Sequence, residues 1–337
     1  MKPLFTYFSQ RGNLKTLRLI VQNLFLVFTL YMGFRFYQFY LWALGRSDTF
    51  VARPPSVEGF LPISALVNLK IFAVTGVFDK IHPAGLTIFI AALLIGIFMR
   101  KGFCGWICPV GAASNLAEKA GRKMKTLREA PKWIDYPLMS LKYLLLGFFI
   151  YIIVIKMDVT ALEAFNRTPY NIAVDARMLL FFLEPSVLAG SILIFLVAIS
   201  FFVRNFWCRY LCPYGGLLGL LAFLSPIRIS RDADLCIDCK KCEKQCPTNI
   251  PISRKQKVTS PECMGCEECI SACPVDNCLN VKTITNRKVP YLLLPAVVLA
   301  IFFLLYATAV FTGHWESQVP PQLFKHYYQI ADKLAHP

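Results

Sequence analysis

An integral membrane protein, mainly α, with about five transmembrane helices, a parallel internal repeat and a small cytoplasmic α+β domain is the fold class this sequence predicts. Three observations predict it. The 337 residues are 56% hydrophobic and 14% aromatic with only 17% charged, too apolar for a soluble chain of this size. Stretches long enough to cross a hydrocarbon core of roughly 30 Å occur at 19–44, 83–99, 137–157, 180–203 and 290–312. Eight of the thirteen cysteines fall in two dense runs between 236 and 273 at metal-ligand spacing, which fits a reducing compartment rather than a secreted disulfide scaffold.

The apolar piece at 59–78 contains Pro62, Asn68 and a central Lys70, so it reads as an outer-surface or re-entrant segment and not as a span. Charge agrees with five spans. The segments then placed inside, 1–18, 100–136 and 204–289, hold 4, 8 and 13 Lys and Arg residues, 25 of the chain's 36. That is the positive-inside pattern. The net charge of +16 follows from it and does not require nucleic acid as a partner. Lys2, Arg11, Lys15 and Arg18 precede an apolar run too long for a signal peptide, so the N-terminus reads as an uncleaved anchor. The expected organisation is a cytoplasmic N-terminus at 1–18, a transmembrane domain at 19–231, the Cys-rich domain at 232–286, a final helix at 287–312 and an outer tail at 313–337. The setting is a bacterial or archaeal inner membrane, with the N-terminus in and the C-terminus out. In the tail, Leu323, Phe324, Tyr327, Ala331 and Leu334 stand at helical spacing and predict a short amphipathic helix.

The repeat is visible in the residues. His82-Pro83, an apolar helix and FCGWICPVG return about a hundred residues later as Glu184-Pro185, an apolar helix and WCRYLCPYG. Cys104 and Cys108 match Cys208 and Cys212, and Pro109 matches Pro213. Both copies end inside, so the repeats are parallel. Between them Val110, Ala113, Ala117, Ala120 and Met124 share one face of an interfacial helix over 110–124, with Glu118, Lys119, Arg122 and Lys123 elsewhere.

CIDCKKCEKQCP at 236–247 and CMGCEECISACP at 263–274 each match the Cys-x2-Cys-x2-Cys-x3-Cys-Pro run of bacterial ferredoxins. Three thiolates at that spacing wrap one cubane, and the fourth Cys of each run ligates the other cluster. The spacing therefore predicts a ferredoxin-like domain with two [4Fe-4S] clusters: cluster I on Cys236, Cys239, Cys242 and Cys273, and cluster II on Cys263, Cys266, Cys269 and Cys246. Two structural zinc knuckles would need only paired Cys-x-x-Cys motifs. Cys278 lies outside both runs and reads as a bystander. In the two Cys-x3-Cys-Pro motifs, cysteines at i and i+4 share a helix face and the following Pro ends or redirects the helix at the inner boundary. Cys104, Cys108, Cys208 and Cys212 are thus a candidate third metal or iron–sulfur site. The alternative is that they are small packing residues or thiols that bind nothing. Iron content separates the two.

The order of basic anchor, spanning helices, duplicated Cys-x3-Cys-Pro motif and two-cluster segment resembles membrane iron–sulfur proteins. These are related to the quinol dehydrogenase subunit of periplasmic nitrate reductase and to the nitrous oxide reductase regulator. The resemblance covers roughly residues 19–312. The chain lacks the large outer flavin-binding domain of the regulator and the C-terminal immunoglobulin-like domain of the related copper reductases. The resemblance implies electron transfer between the membrane quinone pool and a partner redox subunit.

Quinol oxidation releases protons, so the quinone site is sought among ionisable groups at the membrane: His82, Glu184, Arg35 and Glu58. His82 and Glu184 hold equivalent places in the repeat and form the favoured pair. Arg35, among Phe34, Phe36, Tyr37, Phe39, Tyr40 and Trp42, also suits a snorkelling interface residue, and His82 and Glu184 also suit outer caps. Haem is not expected. The four His residues, at 82, 314, 326 and 336, all lie outside the predicted spans, and no Cys-x-x-Cys-His motif occurs. The leading function is a quinol-linked electron conduit. The rivals are a copper reductase or assembly factor, since thiolates suit Cu(I), and a redox-sensing membrane anchor.

Overall fold

A computed structural model describes residues 11–128 and 130–334. Lys2 and His336, weighed above, lie outside them. In chain order the helices are α1 (Leu14–Ala43), α2 (Pro62–Thr75), α3 (Pro83–Met99), α4 (Pro109–Lys123), α5 (Lys132–Ile150), α6 (Val159–Asn166), α7 (Pro169–Ile172), α8 (Val174–Leu183), α9 (Val187–Ser200) and α10 (Pro213–Leu221). The Cys-rich segment follows with β1 (Ile227–Arg231), α11 (Lys241–Gln245), β2 (Lys257–Val258), α12 (Glu268–Ala272) and β3 (Leu279–Thr283), then α13 (Leu293–Phe311) and α14 (Pro321–Tyr328). The described chain is mostly helical.

By length and composition three helices can cross a membrane: α1 with 30 residues, Trp133–Lys156 with 24, and α13 with 19. At 1.5 Å per residue even α13 reaches about 28 Å. The expected span at 180–203 is not one straight helix. Its first residues belong to α8, and Pro185 separates that helix from α9 with a bend of 75°, because the residue before a proline is pushed out of the helical region and proline cannot donate to the ladder. Counted as one broken span, the pair makes four. The expected span at 83–99 is a 17-residue apolar helix. It opens on Pro83 and stops before Arg100, whose φ of 58° is left-handed.

Pro62 stands at the first position of α2, where its missing N–H costs nothing. The central Lys70 that argued against a span there has a structural task. Its ammonium donates to the carbonyls of Ile153 at 3.2 Å, Val154 at 3.0 Å and Met157, at the π-helical end of the α5 segment. A cation satisfies the orphan carbonyls and the negative end of that helix together.

The chain divides into two compact units. The first comprises Met1–Leu26, Ala92–Leu146 and Leu196–Phe302. It contains a three-stranded antiparallel sheet in the order β2-β1-β3, with Ile229 opposite both Val258 and Val281. Ile227, Ile229, Val258, Leu279 and Val281 are its buried residues. The two Cys-x3-Cys-Pro motifs fold alike within this unit. Cys104 and Cys208 sit in π-helical turns, Phe103–Ile107 and Trp207–Leu211, while Cys108 and Cys212 are extended. Pro109 and Pro213 redirect the chain, each turn stopping at the extended cysteine before its proline. Each proline begins the next helix, α4 or α10, at the position that suits it.

α4 keeps its apolar side, Val110, Ala113 and Met124, on the protein surface, where an interfacial helix would present it. Its buried face is Gly111, Ala112, Ser114, Asn115, Glu118 and Gly121, whereas Val110 and Met124 are exposed. The polar face turns inward because it has partners there. Asn115 donates to Gln22 Oε1 at 3.1 Å, and Glu118 pairs with Arg122 at 2.6 Å and accepts from Asn205 at 3.2 Å.

The second unit is Val27–Ala91, Gly147–Phe195 and Phe303–Pro337. The predicted amphipathic tail helix is α14, whose Phe324 and Tyr328 pack with Phe36, Phe39, Tyr40 and Ala43 of α1 and with Val57, Ile172, Ala173 and Ala176. A smaller core joins Val67 and Ile71 of α2 to Ile153 and Leu162.

Within the first unit one close approach is set by a glycine. A Cβ on Gly105 would lie 2.6 Å from the Met264 carbonyl oxygen, a contact backbone cannot relieve. Gly105→Ala should therefore destabilise the detergent-solubilised protein by about 1–3 kcal/mol in thermal unfolding. Gly147→Ala, in α5 with nothing within 4 Å of the added carbon, should be neutral or stabilise by about 0.5–1 kcal/mol.

Candidate iron–sulfur site

The two Cys runs fold as near copies. In each, the chain between the first and third cysteines passes through left-handed residues, Asp238 and Lys240 in the first run and Gly265 and Glu267 in the second. A five-residue helix then ends at an extended fourth cysteine, Cys246 or Cys273. Left-handed turns of this kind direct successive N–H groups into a concavity that suits an anion. Non-glycine residues held there cost roughly 1–3 kcal/mol each. Asp238, Lys240 and Glu267 keep the conformation because the loop geometry demands it.

Cys236, Cys239, Cys242 and Cys273 line one cavity, with Arg231, Lys240 and Cys278 also on its wall. Cys246 lies instead among the second run and interacts electrostatically with Cys263, Cys266 and Cys269. Cys278 is buried against Cys236 and Cys273, and burial pushes its thiol up to about 12. Among the described residues no three His, Cys, Asp or Glu side chains close on a point as the ligands of a single metal ion do. That holds for these eight cysteines too. A cubane spreads its ligand sulfurs around a larger body.

The third set, Cys104, Cys108, Cys208 and Cys212, is brought together from the two π turns, and its thiols interact electrostatically with one another. Burial pushes Cys108 up to about 11 and Cys208 up to about 12. As bare thiols they would stay protonated, whereas a bound metal reverses that preference. Cys212 Sγ accepts from the Gly215 N–H at 3.3 Å, and Cys108 holds the equivalent position before α4. Ser114 Oγ lies 3.8 Å from Cys208 Sγ.

Both π turns dock on the ferredoxin-type loops. Trp106 Nε1 donates to the Gly265 carbonyl at 3.0 Å, and Gly105 packs on Met264. Asn205 donates to the Pro247 carbonyl at 3.1 Å, and Arg209 to that of Thr248. Buried ion pairs fix these loops further. Arg18 pairs with Glu268 while its Nε donates to the Gly105 carbonyl at 2.9 Å, and Gln245 reaches Glu268 at 3.0 Å. Glu262, next to Cys263, accepts from Lys142 at 2.6 Å and Tyr143 at 3.0 Å and lies 3.5 Å from Lys101. The cationic neighbours hold its carboxyl below the usual range although burial opposes this. Glu267 is 1% exposed with no partner for either oxygen among the described residues, and burial pushes its carboxyl well up.

The four residues expected at a quinone site divide. His82 and Glu58 meet, in a buried network within the second unit that includes two residues the sequence reading passed over, Arg53 and Asp175. Arg53 binds Asp175 at 2.6 Å and Glu58 at 2.6 Å. His82 Nδ1 lies 3.5 Å from Glu58 and 3.4 Å from Arg53, and its Nε2 is 2.8 Å from the Asn171 carbonyl oxygen. A carbonyl only accepts, so Nε2 carries a proton and Nδ1 is the nitrogen that titrates. Burial lowers the His82 pKa, but hydrogen bonding to Glu58 and its charge outweigh that, and the net shift is upward.

Glu184 does not pair with His82. It is exposed at the end of α8 and interacts with Tyr40. Arg35 is half-buried and outside the network. The two copies differ in what precedes the proline: Glu184 closes α8 at the surface, where a bend of 75° separates that helix from α9, whereas His82 ends an irregular stretch after α2. Asp175 lay in a segment outside the predicted spans, where a carboxylate reads as solvated. Lys142 was legible and missed: it is a charged residue inside the apolar stretch 137–157, where ionisable groups mark function by default.

The 4Fe-4S binding domain family model matches the chain twice, at 81–127 and 185–231, windows that hold Cys104 and Cys108 and then Cys208 and Cys212. The 4Fe-4S dicluster domain model matches 228–274. A relative described as "Putative electron transport protein YccM" of Escherichia coli (strain K12) is 38% identical over 327 residues, 95% of this chain and 90% of that protein. The ferredoxin-type protein NapH of Escherichia coli (strain K12) is 26% identical over 59% of this chain and 66% of its own length. The regulatory protein NosR of Stutzerimonas stutzeri is 28% identical over 48% of this chain and 22% of its own length. No solved structure matches. The duplicated match, the dicluster match and a relative aligned over nearly its whole length agree, and the chain belongs to the NapH/NosR-like superfamily of 4Fe-4S ferredoxin-type proteins, built for iron–sulfur electron transfer.

Proposed function

We propose that this protein passes electrons between the membrane quinone pool and a partner redox complex. Two [4Fe-4S] clusters form its cytoplasmic end, held by Cys236, Cys239, Cys242 and Cys273 and by Cys263, Cys266, Cys269 and Cys246. The observation that carries the reading is the crossing of the fourth ligands. Cys273 lines the cavity of the first run and Cys246 lies among the thiols of the second. That is the arrangement a two-cluster ferredoxin needs, because the clusters must sit close enough to exchange electrons. The basic 204–289 segment fits an inner face, with the N-terminus in and the C-terminus out. NapH and NosR relatives support a membrane setting with a redox partner.

The proton-accepting site for quinol is the network of His82, Glu58, Arg53 and Asp175. Quinol oxidation yields two electrons and two protons. His82 Nδ1, bare and turned toward Arg53, can take one proton and then donate toward Glu58 without leaving its place. Other titratable groups around it are Asp79 and, across Asp175, the neutral phenol of Tyr328.

The test is anaerobic purification of the intact protein with its partners, followed by addition of a quinol analogue while the iron–sulfur absorbance is recorded. Rapid bleaching is expected, and clusters that stay oxidised in the intact complex would refute the conduit. Crossed ligation predicts that Cys246→Ser alters the electron paramagnetic resonance signal of the cluster on Cys263, Cys266 and Cys269, leaving the other signal in place. Cys273→Ser should do the reverse.

His82→Gln should slow quinol-driven reduction by at least about tenfold at unchanged iron content, since a positioned base is worth roughly 10²–10⁴. Because the His82 pKa is raised, the wild-type rate should climb as pH rises above about 6.5, the value for free histidine. The variant should show no such rise. The stabilising charge of protonated His82 is present below that pH and is lost as pH rises through the folded-state pKa, so thermal stability should run the opposite way to rate.

A further inference from the structure

The surroundings of the third thiol set carry more positive charge than neutral cysteines can use. Lys101 and Lys142 are 3% and 0% exposed and share a single carboxylate, Glu262. Besides Glu262, Lys101 interacts electrostatically with Cys104, Cys208 and Cys212. Two buried cations on one carboxylate leave one positive charge unmatched, which a dry site does not tolerate. The helix starts add to the imbalance. Cys108 and Cys212 occupy the positions just before α4 and α10, at the positive ends of both helices, and Cys212 Sγ accepts the Gly215 N–H at 3.3 Å. Closed packing of four neutral thiols would need none of this. Four thiolates around an iron–sulfur core bear net negative charge and supply what is missing.

The same two turns show which cluster such a centre would serve. Trp106 and Gly105 rest on Met264 and Gly265, between Cys263 and Cys266. Arg204 and Asn205, at the other turn, contact the carbonyls of Cys246 and Pro247 at 3.4 and 3.1 Å. Glu262, the carboxylate paired to Lys101, is bonded to Cys263 through the chain. All of these contacts reach the ligand set of the second cluster, and none reaches Cys236, Cys239 or Cys273.

We propose that Cys104, Cys108, Cys208 and Cys212 together hold one iron–sulfur cluster shared between the two repeats, that Lys101 is its fixed counter-charge, and that it exchanges electrons with the cluster of Cys263, Cys266, Cys269 and Cys246. The transfer is of one electron, the donor cluster oxidised as the acceptor is reduced. The proposal rests on the electron-conduit reading and makes this cluster the link between the helical part and the ferredoxin-type domain. Lys101 acts on the cluster through its charge, as a positioning residue.

The experiment uses the full chain, purified anaerobically in detergent as wild type, Cys104→Ser/Cys208→Ser, Lys101→Met and Lys101→Arg. Iron, zinc, copper and acid-labile sulfide are counted, and each signal is titrated against potential by paramagnetic resonance. Wild type should hold about ten to twelve iron atoms, and the double variant about eight with two signals intact. Lys101→Met should move the third signal to lower potential or abolish it, because a buried cation favours the more negative reduced state. Lys101→Arg should restore it, and the signals of the other clusters should hold their midpoints. Signal broadening from magnetic coupling should link the third cluster to the second and not the first. Eight iron atoms in wild type, zinc or copper in their place, or a third midpoint indifferent to Lys101→Met would overturn the proposal. A third signal that behaves as described in a protein whose clusters ignore quinol would instead leave this inference standing and remove the quinone half of the function.

Discussion

Every charge taken out of water in this protein has to be matched, and that requirement organises the fold more than helix length does. The buried pairs join segments far apart in sequence: Arg18 to Glu268, Lys142 to Glu262, Arg209 to Asp135, and Arg53 to Asp175. Such a pair adds little net stability over an apolar substitute, but deleting one member leaves the other buried and costs about 3–5 kcal/mol. The pairs therefore act as registers. Each accepts one arrangement of its segments, and three of the four pin a cysteine loop or the turn beside it. Apolar helices sliding in lipid offer no comparable specificity, since lipid tails are as apolar as leucine.

This explains which parts of the structure could be read in advance. The dicluster segment was legible because Cys spacing is local, and each run folds with a short helix that ends at its fourth cysteine, Cys246 or Cys273. α1 and α13 were legible as uninterrupted apolar runs. The misreadings share a cause, which is that a residue's meaning was taken from its own segment. The redirection at Pro109 was legible, but the π turn before it was not. The polar side of α4 carried no sign of its partners, since Asn115 and Glu118 are bonded to Gln22 and Asn205 from elsewhere in the chain. Glu184 was paired with His82 by repeat symmetry, while the true partners, Arg53 and Asp175, come from segments with no repeat counterpart. Polar partners at long sequence separation leave no periodic trace.

The two kinds of chemistry in the reaction call for two kinds of surroundings, and the molecule supplies both. Electrons need thiolate ligands in a place where negative charge is welcome. In the first unit this means left-handed loops that turn N–H groups inward, helix starts aimed at sulfur and a lysine with no second carboxylate to spend. Protons need a group that changes charge without moving. In the second unit His82 Nδ1 stands between a donor, Arg53, and an acceptor, Glu58, so that both of its protonation states find a partner. Placing the histidine among the thiolates would tie its proton to the charge of the clusters, and every electron stored would hold a proton back. For the quinol-linked conduit proposed above, a titrating network that contains no cysteine is what lets a proton be accepted independently of the charge carried by the thiolates.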